Sequence, residues 1–181
     1  MKFIVFTGSM GSGKSTAITC LKELQLARVE NIKFAAPLYD MQDFIYRRIQ
    51  EVYPLPRKFK KDRVLLQFLG TEWGRDKISK TIWIDLWKTE IKNTQENYPY
   101  VFITCDDLRF DNEAEAVKEM GGLIIKITSN VERPGVAKGI TGHASEAGVD
   151  LKYVDYVIEN NGTYDELKEA LLILNRKFSI W

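Results

Sequence analysis

Gly8-Ser9-Met10-Gly11-Ser12-Gly13-Lys14-Ser15 is the stretch whose residue types and spacing point most directly to a chemistry. It matches GxxxxGK[ST], in which glycines let the backbone curl until successive N–H groups face one point. Such a concavity binds polyphosphate, and the positive end of a following helix reinforces it. Lys14 is then a compact cation for the outer phosphates, and the Ser15 hydroxyl is placed to ligate Mg2+. Gly8, Gly11, Ser12 and Gly13 supply the cradle around them. The flanks suit this reading. A short apolar run, Lys2 to Thr7, reads as a buried strand ahead of the loop, and Gly13 to Leu24 reads as a helix behind it.

Two further groups of side chains extend the chemistry. Asp106 and Asp107 follow an apolar run, Tyr100 to Thr104, and a carboxylate beyond a second core strand is where such a site orients magnesium. Turn capping is an equally good use of either Asp, and the sequence leaves the two open. Asp111 and Asn112 read as caps of the next helix. The helical pattern from Asp62 to Ser79 places Gln67, Thr71, Gly74, Arg75 and Ile78 on one stripe. Val64, Leu65, Phe68 and Leu69 form another, expected to pack inward. Arg75 suits a bidentate grip on an acceptor phosphate, and Gln67 suits a base edge. Gly70 and Gly74 lower helix propensity, which implies a close approach to the helix backbone.

Phosphoryl transfer needs charge neutralisation and alignment more than covalent help. A phosphate monoester has a second pKa of about 6, so a monophosphate acceptor needs no general base at pH 7. A chain with one histidine and no Ser/His/Asp set fits that economy. His143 reads as a local hydrogen-bonding residue. Arg109, after the strand-end acids, and Arg133, in a glycine-containing excursion over residues 129–150, are candidate cations for the transferred group. A lid arginine there would exclude water and favour transfer over hydrolysis.

The elements that must hold these groups alternate. Strands are expected at Lys2–Thr7, Val29–Phe34, Tyr100–Thr104, Leu123–Ile127 and Tyr153–Ile158. Helices are expected at Gly13–Leu24, from Pro37 to about Val52, Asp62–Ser79, Ile82–Asn93, Glu113–Met120 and Tyr164–Phe178. The pattern implies α/β architecture, a five-stranded parallel sheet covered by helices on both faces, with ligands at the carboxyl ends of the strands. Ile82, Leu86 and Ile91 mark the expected apolar side of their helix, with Trp83 and Trp87 as core or interface residues. The basic run Arg57, Lys58, Lys60 and Lys61 reads as a solvated loop or helix start.

Bulk properties exclude several classes. The chain has 181 residues, enough for one domain with a good core, and 45% are hydrophobic. A net charge of +1 gives no strong basic field for a nucleic-acid duplex. No apolar run approaches membrane-spanning length and the start does not read as a signal peptide, so a cytoplasmic location is expected. Cys20 and Cys105 lie far apart and read as core residues.

The residues resemble the bacteriophage deoxynucleoside monophosphate kinases, which are related to dephospho-CoA kinases and other P-loop kinases. The likeness is carried by Gly8 to Thr16, Phe34 to Leu38, Leu66 to Arg75, Asp107 to Glu113, His143 to Glu146 and Asn160 to Thr163. It implies a three-layer P-loop fold with a helical acceptor-binding region over about 37–97 and a small lid over about 129–150. It implies ATP- and Mg2+-dependent phosphorylation of a dNMP to the dNDP, in a dimer, in the host cytoplasm if phage-encoded. It implies that the phosphate cradle extends to Thr16 and that Phe34, Gln67, Thr71, Trp73 and Arg75 face the acceptor. Asp107 and Arg109 would lie beside the phosphates, Arg133 in the lid, and Asn161, Gly162 and Thr163 near the adenine. Asp106-Asp107-Leu108 stands where the family pattern has a single acid and a β-branched residue, so the metal-orienting acid stays open. Rival readings are a kinase of dephospho-CoA or a nucleoside, and a nucleotide-dependent switch, although no Asn-Lys-x-Asp guanine reader occurs.

Overall fold

The computed structural model describes residues 3–24, 28–54, 61–131 and 148–181. The expected lid residue Arg133, together with His143 and the basic residues Arg57, Lys58 and Lys60, lies outside them. The described chain forms two compact units, one of Met1–Ile32 with Asn93–Trp181 and one of Lys33–Lys92.

The first unit is built on strands β1 (Ile4–Thr7), β2 (Val29–Asn31), β3 (Phe102–Cys105), β4 (Leu123–Thr128) and β5 (Tyr156–Glu159). They form one five-stranded sheet in the order β2-β3-β1-β4-β5, every pair parallel. β1 and β3 are buried at every position, as strands covered on both faces must be. Alternation divides their side chains. Ile4 and Phe6, with Ile125 and Ile127, join a core with Ala17, Ile18 and Leu21 of α1 (Lys14–Glu23) and Leu167, Leu171 and Leu174 of α6 (Tyr164–Phe178). On the other face Phe3 meets Val117 of α5 (Asp111–Glu119) at Gly122, where a Cβ would be 2.5 Å from the Phe3 ring and 2.8 Å from Val117. The result is three layers, helix on sheet on helix.

Two expected strands are shorter than the apolar runs suggest. β2 ends at Asn31, where Asn31 turns to side-chain bonding, and the segment from Leu151 to Tyr153 is a tight helical turn capped by Asp150 before β5 begins. Cys20 and Cys105 are both buried free thiols.

The second unit carries α2 (Ala36–Gln50), with Pro37 in its first turn, α3 (Arg63–Gln67) and most of α4 (Ile82–Asn97). α3 starts at an Asp62 cap whose carboxylate accepts from Leu65 N at 3.0 Å. From Phe68 to Ile78 the helix widens to i→i+5 hydrogen bonding, closed by Ser79 N donating to Gly74 O at 3.0 Å. The stripes expected from a 3.6-residue period hold only in part, with Leu69 buried and Leu65 half-buried as expected of the inward one. Leu66, Leu69 and Gly74 face inward, whereas Val64 and Phe68 are exposed. The buried face of α4 is likewise set by its tryptophans: Trp83, Ile84, Trp87 and Ile91 are buried, and Leu86 is exposed.

The close approach signalled by Gly70 and Gly74 is made by the chain's own Trp83. Its Nε1 donates to Gly70 O at 2.8 Å, and a Cβ on Gly74 would lie 2.8 Å from ring atom Cε2. At Gly70 a Cβ would meet the tip of the Leu38 side chain, Cδ1 at 3.3 Å and Cδ2 at 3.9 Å. We therefore expect Gly74→Ala to lower stability by about 1–3 kcal/mol through overpacking, and Gly70→Ala by less than about 1 kcal/mol. Urea unfolding midpoints at constant slope check both.

Candidate active site

All five strands point their carboxyl ends the same way, so the segments after Thr7, Asn31, Cys105 and Glu159 meet on one edge of the first unit. Gly8, Gly11 and Gly13 take φ values of 139°, 79° and 105°, a region that side-chain-bearing residues rarely adopt. Gly8 also abuts β4: a Cβ there would lie 3.2 Å from the carbonyl carbon of Ile127 and nearer still to its oxygen. The loop thus bends as its sequence predicts and runs into the N-terminus of α1 at Lys14.

Lys14 Nζ donates to Gly8 O and Ser9 O, each at 2.8 Å, and so stands at the mouth of the loop. Burial pulls its ammonium below the ordinary lysine range, and the Arg109 charge adds to that. Asp106 and Asp107 work in the opposite direction. Arg109, itself exposed, is therefore an electrostatic neighbour of the loop lysine. Thr7 Oγ1 donates to Leu108 O at 3.1 Å and fixes the segment that carries these acids and Arg109.

The two acids face different partners. Asp106 is buried and accepts from Ser15 Oγ at 2.8 Å and from Asn31 Nδ2 at 3.0 Å. Asp107 accepts from the Cys105 thiol at 3.1 Å. Burial, and then the Asp107 charge, push that thiol well above the ordinary cysteine range and keep it a donor. Ser12 Oγ and Asn31 Oδ1 are buried oxygens without a hydrogen-bond partner among the described residues, and both belong to this cluster.

Asp111 and Asn112 are not the caps their position suggested. Glu113, at the third position of α5, reaches back to accept from Arg109 N at 3.0 Å and Phe110 N at 3.2 Å. Asp111 instead accepts from Asp150 N at 2.9 Å. At the far side of the loop, Asn161 Oδ1 accepts from Asn130 N at 2.8 Å, and Thr163 caps α6 by accepting from Glu166 N at 3.3 Å. The Glu166 carboxylate fills the space beside Gly162 that a side chain would take.

In the second unit Gln67 and Thr71 are exposed, Trp73 and Arg75 half-buried. Phe34 is 3% exposed and stacks on Trp87 with ring centroids 4.3 Å apart. It is a packed core side chain of that unit.

Residue-by-residue reading overlooked Asn31 and Asn160. Asn160 is buried and its Nδ2 donates to Ser12 O at 2.8 Å. Each asparagine stands at or just past the last residue of a strand, so the carboxyl-end rule was the signal available for both.

Comparison with known proteins adds a second line of argument. Residues 47–171 match the family model for deoxynucleotide monophosphate kinase. A protein of Acanthamoeba polyphaga mimivirus to which the same activity is ascribed is 30% identical over 190 residues, covering 95% of each chain. The deoxynucleotide monophosphate kinase of Enterobacteria phage T4 is 32% identical over 105 residues, which span 58% of this chain and 41% of the phage protein. Among solved structures, a dephospho-CoA kinase from Campylobacter jejuni aligns with a TM-score of 0.53 at 19% identity, over 99% of this chain and 98% of that one. At that identity the likeness concerns the fold.

Gly8→Ala tests the loop. Both the φ of 139° and the contact with Ile127 forbid the added methyl in the present backbone. We expect ATP binding to weaken by about tenfold or more, read by calorimetry, with far-UV circular dichroism unchanged.

Proposed function

The chain belongs to the deoxynucleotide monophosphate kinase family, and we propose that its two units divide the work of phosphoryl transfer between donor and acceptor. The reaction moves the γ-phosphoryl group of ATP to the phosphate of a deoxynucleoside monophosphate. An acceptor phosphate oxygen forms the new bond to phosphorus, the bond to the β,γ-bridging oxygen breaks, and ADP leaves with that electron pair. At neutral pH the acceptor is largely dianionic, so no side chain has to remove a proton.

The observation that carries the donor assignment is the bond from Ser15 to Asp106 beside the glycine loop and Lys14. The N–H groups of Gly8 to Thr16 receive the phosphates. Half-buried Lys14 and exposed Arg109 neutralise charge on the group in flight. Sequence alone supports Arg133 as a further cation. The turn Asn161-Gly162-Thr163 is assigned to the adenine side.

Mg2+ fits the residues present. Among the described residues no three His, Cys, Asp or Glu side chains gather into a protein-only cage. Magnesium needs none, since it uses one or two protein oxygens with phosphates and waters. Ser15 and Asp106 would hold it, with the unpartnered Asn31 Oδ1 close by. When bound it neutralises phosphate charge. The Ser15 bond favours Asp106 as the metal-orienting acid, since Asp107 accepts instead from the Cys105 thiol.

Gln67, Thr71, Trp73 and Arg75 are proposed to meet the acceptor, with Phe34 bracing Trp87 beneath. Exposed Phe44 and Phe68 of the same unit are available to a second copy in a homodimer. No helix among the described residues is long and apolar enough to cross a membrane. The host cytoplasm is the location we propose, in keeping with the viral relatives. Family membership sets aside the dephospho-CoA and switch readings.

The direct test is incubation with ATP, Mg2+ and each dNMP singly. Diphosphate should form with at least one of them and disappear in Lys14→Ala. Activity confined to a non-nucleotide acceptor would end this reading. Arg75→Ala should raise the dNMP KM by about tenfold to hundredfold and leave the ATP KM nearly unaltered; an unchanged dNMP KM removes Arg75 from the acceptor face. For the acids, Asp106→Ala should lower kcat by about a hundredfold and Asp107→Ala by less than about tenfold. The opposite ranking would move the metal to Asp107.

A further inference from the structure

We infer that Asn160 is a positioning residue for the phosphate donor: it locks the peptide between Ser12 and Gly13 in the orientation that receives phosphate, and ties the loop to the adenine-side turn. The inference rests on the assignment of that loop and turn to ATP. Asn160 is only 4% exposed, and its Nδ2 donates to Ser12 O at 2.8 Å across 148 residues of sequence.

In a planar trans peptide the C=O and the following N–H point in opposite directions. A Ser12 carbonyl drawn toward Asn160 therefore turns the Gly13 N–H the other way. Gly13, at φ 105°, is the residue that permits this. Ser12 is pinned on its other side as well, since its own N–H donates to Ser9 O at 3.2 Å. Without the Asn160 bond the Ser12–Gly13 peptide loses its one long-range tie among those observed, and a flipped peptide would present a carbonyl oxygen where phosphate has to bind.

Asn160 itself cannot drift. Its N–H donates to Thr128 O at 2.8 Å at the end of β4, and the next residue, Asn161, accepts from Asn130 N at 2.8 Å. Two residues later Thr163 and Glu166 cap α6 reciprocally, with Thr163 N donating to Glu166 at 2.6 Å. The side chain is thus a strut between a fixed turn and the phosphate loop. It sets the span between the part of the site that holds the base and the part that holds the phosphates. Loss of the strut should therefore be felt by the donor and not by the acceptor, whereas a merely structural asparagine would lower thermal stability and leave that balance alone.

The test compares wild type with Asn160→Ala and Asn160→Asp. ATP and dNMP are varied separately in steady-state assays, MgATP binding is read by calorimetry, and thermal unfolding is followed in parallel. Asn160→Ala should raise the ATP KM and the calorimetric Kd by about tenfold to hundredfold, with the dNMP KM changed by less than about twofold. Asn160→Asp keeps the shape but sets a carboxylate against the Ser12 carbonyl, and should do at least as much damage. An unaltered ATP KM and Kd in Asn160→Ala, whatever the melting temperature does, overturns the inference. So does an equal rise in both KM values. Loss of the fold in both variants also overturns it, by assigning Asn160 to the scaffold. A wild type that binds MgATP but phosphorylates no dNMP would instead overturn the acceptor reading and leave the calorimetric comparison intact.

Discussion

The hydrogen bond from Ser15 to Asp106 joins residues 91 apart in sequence, and it exists only because β1 and β3 lie side by side and parallel. Parallel pairing brings the carboxyl ends of both strands to one edge, where the chain leaves the sheet and its backbone groups are no longer consumed by the ladder. The loop after β1 spends that freedom on curling its N–H groups inward. The segment after β3 spends it on a buried carboxylate. Asn31 after β2 and Asn160 after β5 complete the set, so four of the five strands deliver a polar group to one place.

Electrostatics at this edge explains why so few charges suffice. Lys14 and Arg109 repel one another, and burial makes the lysine charge still less comfortable. Asp106 and Asp107 offset part of that cost. On the proposed reading a triphosphate would offset the rest, since it brings several negative charges to the two cations. A net charge of +1 for the whole chain therefore says little about the site, whose cations are few, local and balanced by acids until a polyanion arrives.

The glycine loop was legible because its conformation is written in residue types: glycine readily takes the φ values found at 8, 11 and 13, which other residues rarely adopt. The strands were legible from short apolar runs, and α6 was readable to both ends from the turn Asn160 to Thr163 and its leucine spacing. The faces of α3 and α4 were not. A helical wheel presumes 3.6 residues per turn, and the widening from Phe68 to Ile78 takes that stretch off the wheel, while in α4, which starts afresh at Ile82, the buried tryptophans and not Leu86 set the face. Nothing in the apolar pattern announced the widening, yet Gly70 and Gly74 were its trace. The same two glycines suggested a close approach, correctly, but a sequence cannot say whether the visitor is a ligand or the chain's own Trp83.

Asparagine was the residue type hardest to read, and the reason is physical. A carboxylate or guanidinium advertises itself by charge, and glycine by its backbone. An amide at a strand end is ordinarily a turn residue, and Asn160-Asn161-Gly162-Thr163 reads as a turn for good cause. Within that turn the two amides do different things. Asn161 is exposed and bonds locally to Asn130 N, while Asn160 is buried and reaches back to the first loop of the chain. The difference comes from strand parity. Ile158 faces the core shared with α6, and Asn160, two residues on, points to the same side, where the phosphate loop has replaced the apolar layer. A buried donor there must find an acceptor. The acceptor it finds is the Ser12 carbonyl of the glycine loop. The curl of the loop at Gly8, Gly11 and Gly13 is thus the same geometry that makes the Ser12 carbonyl available to Asn160.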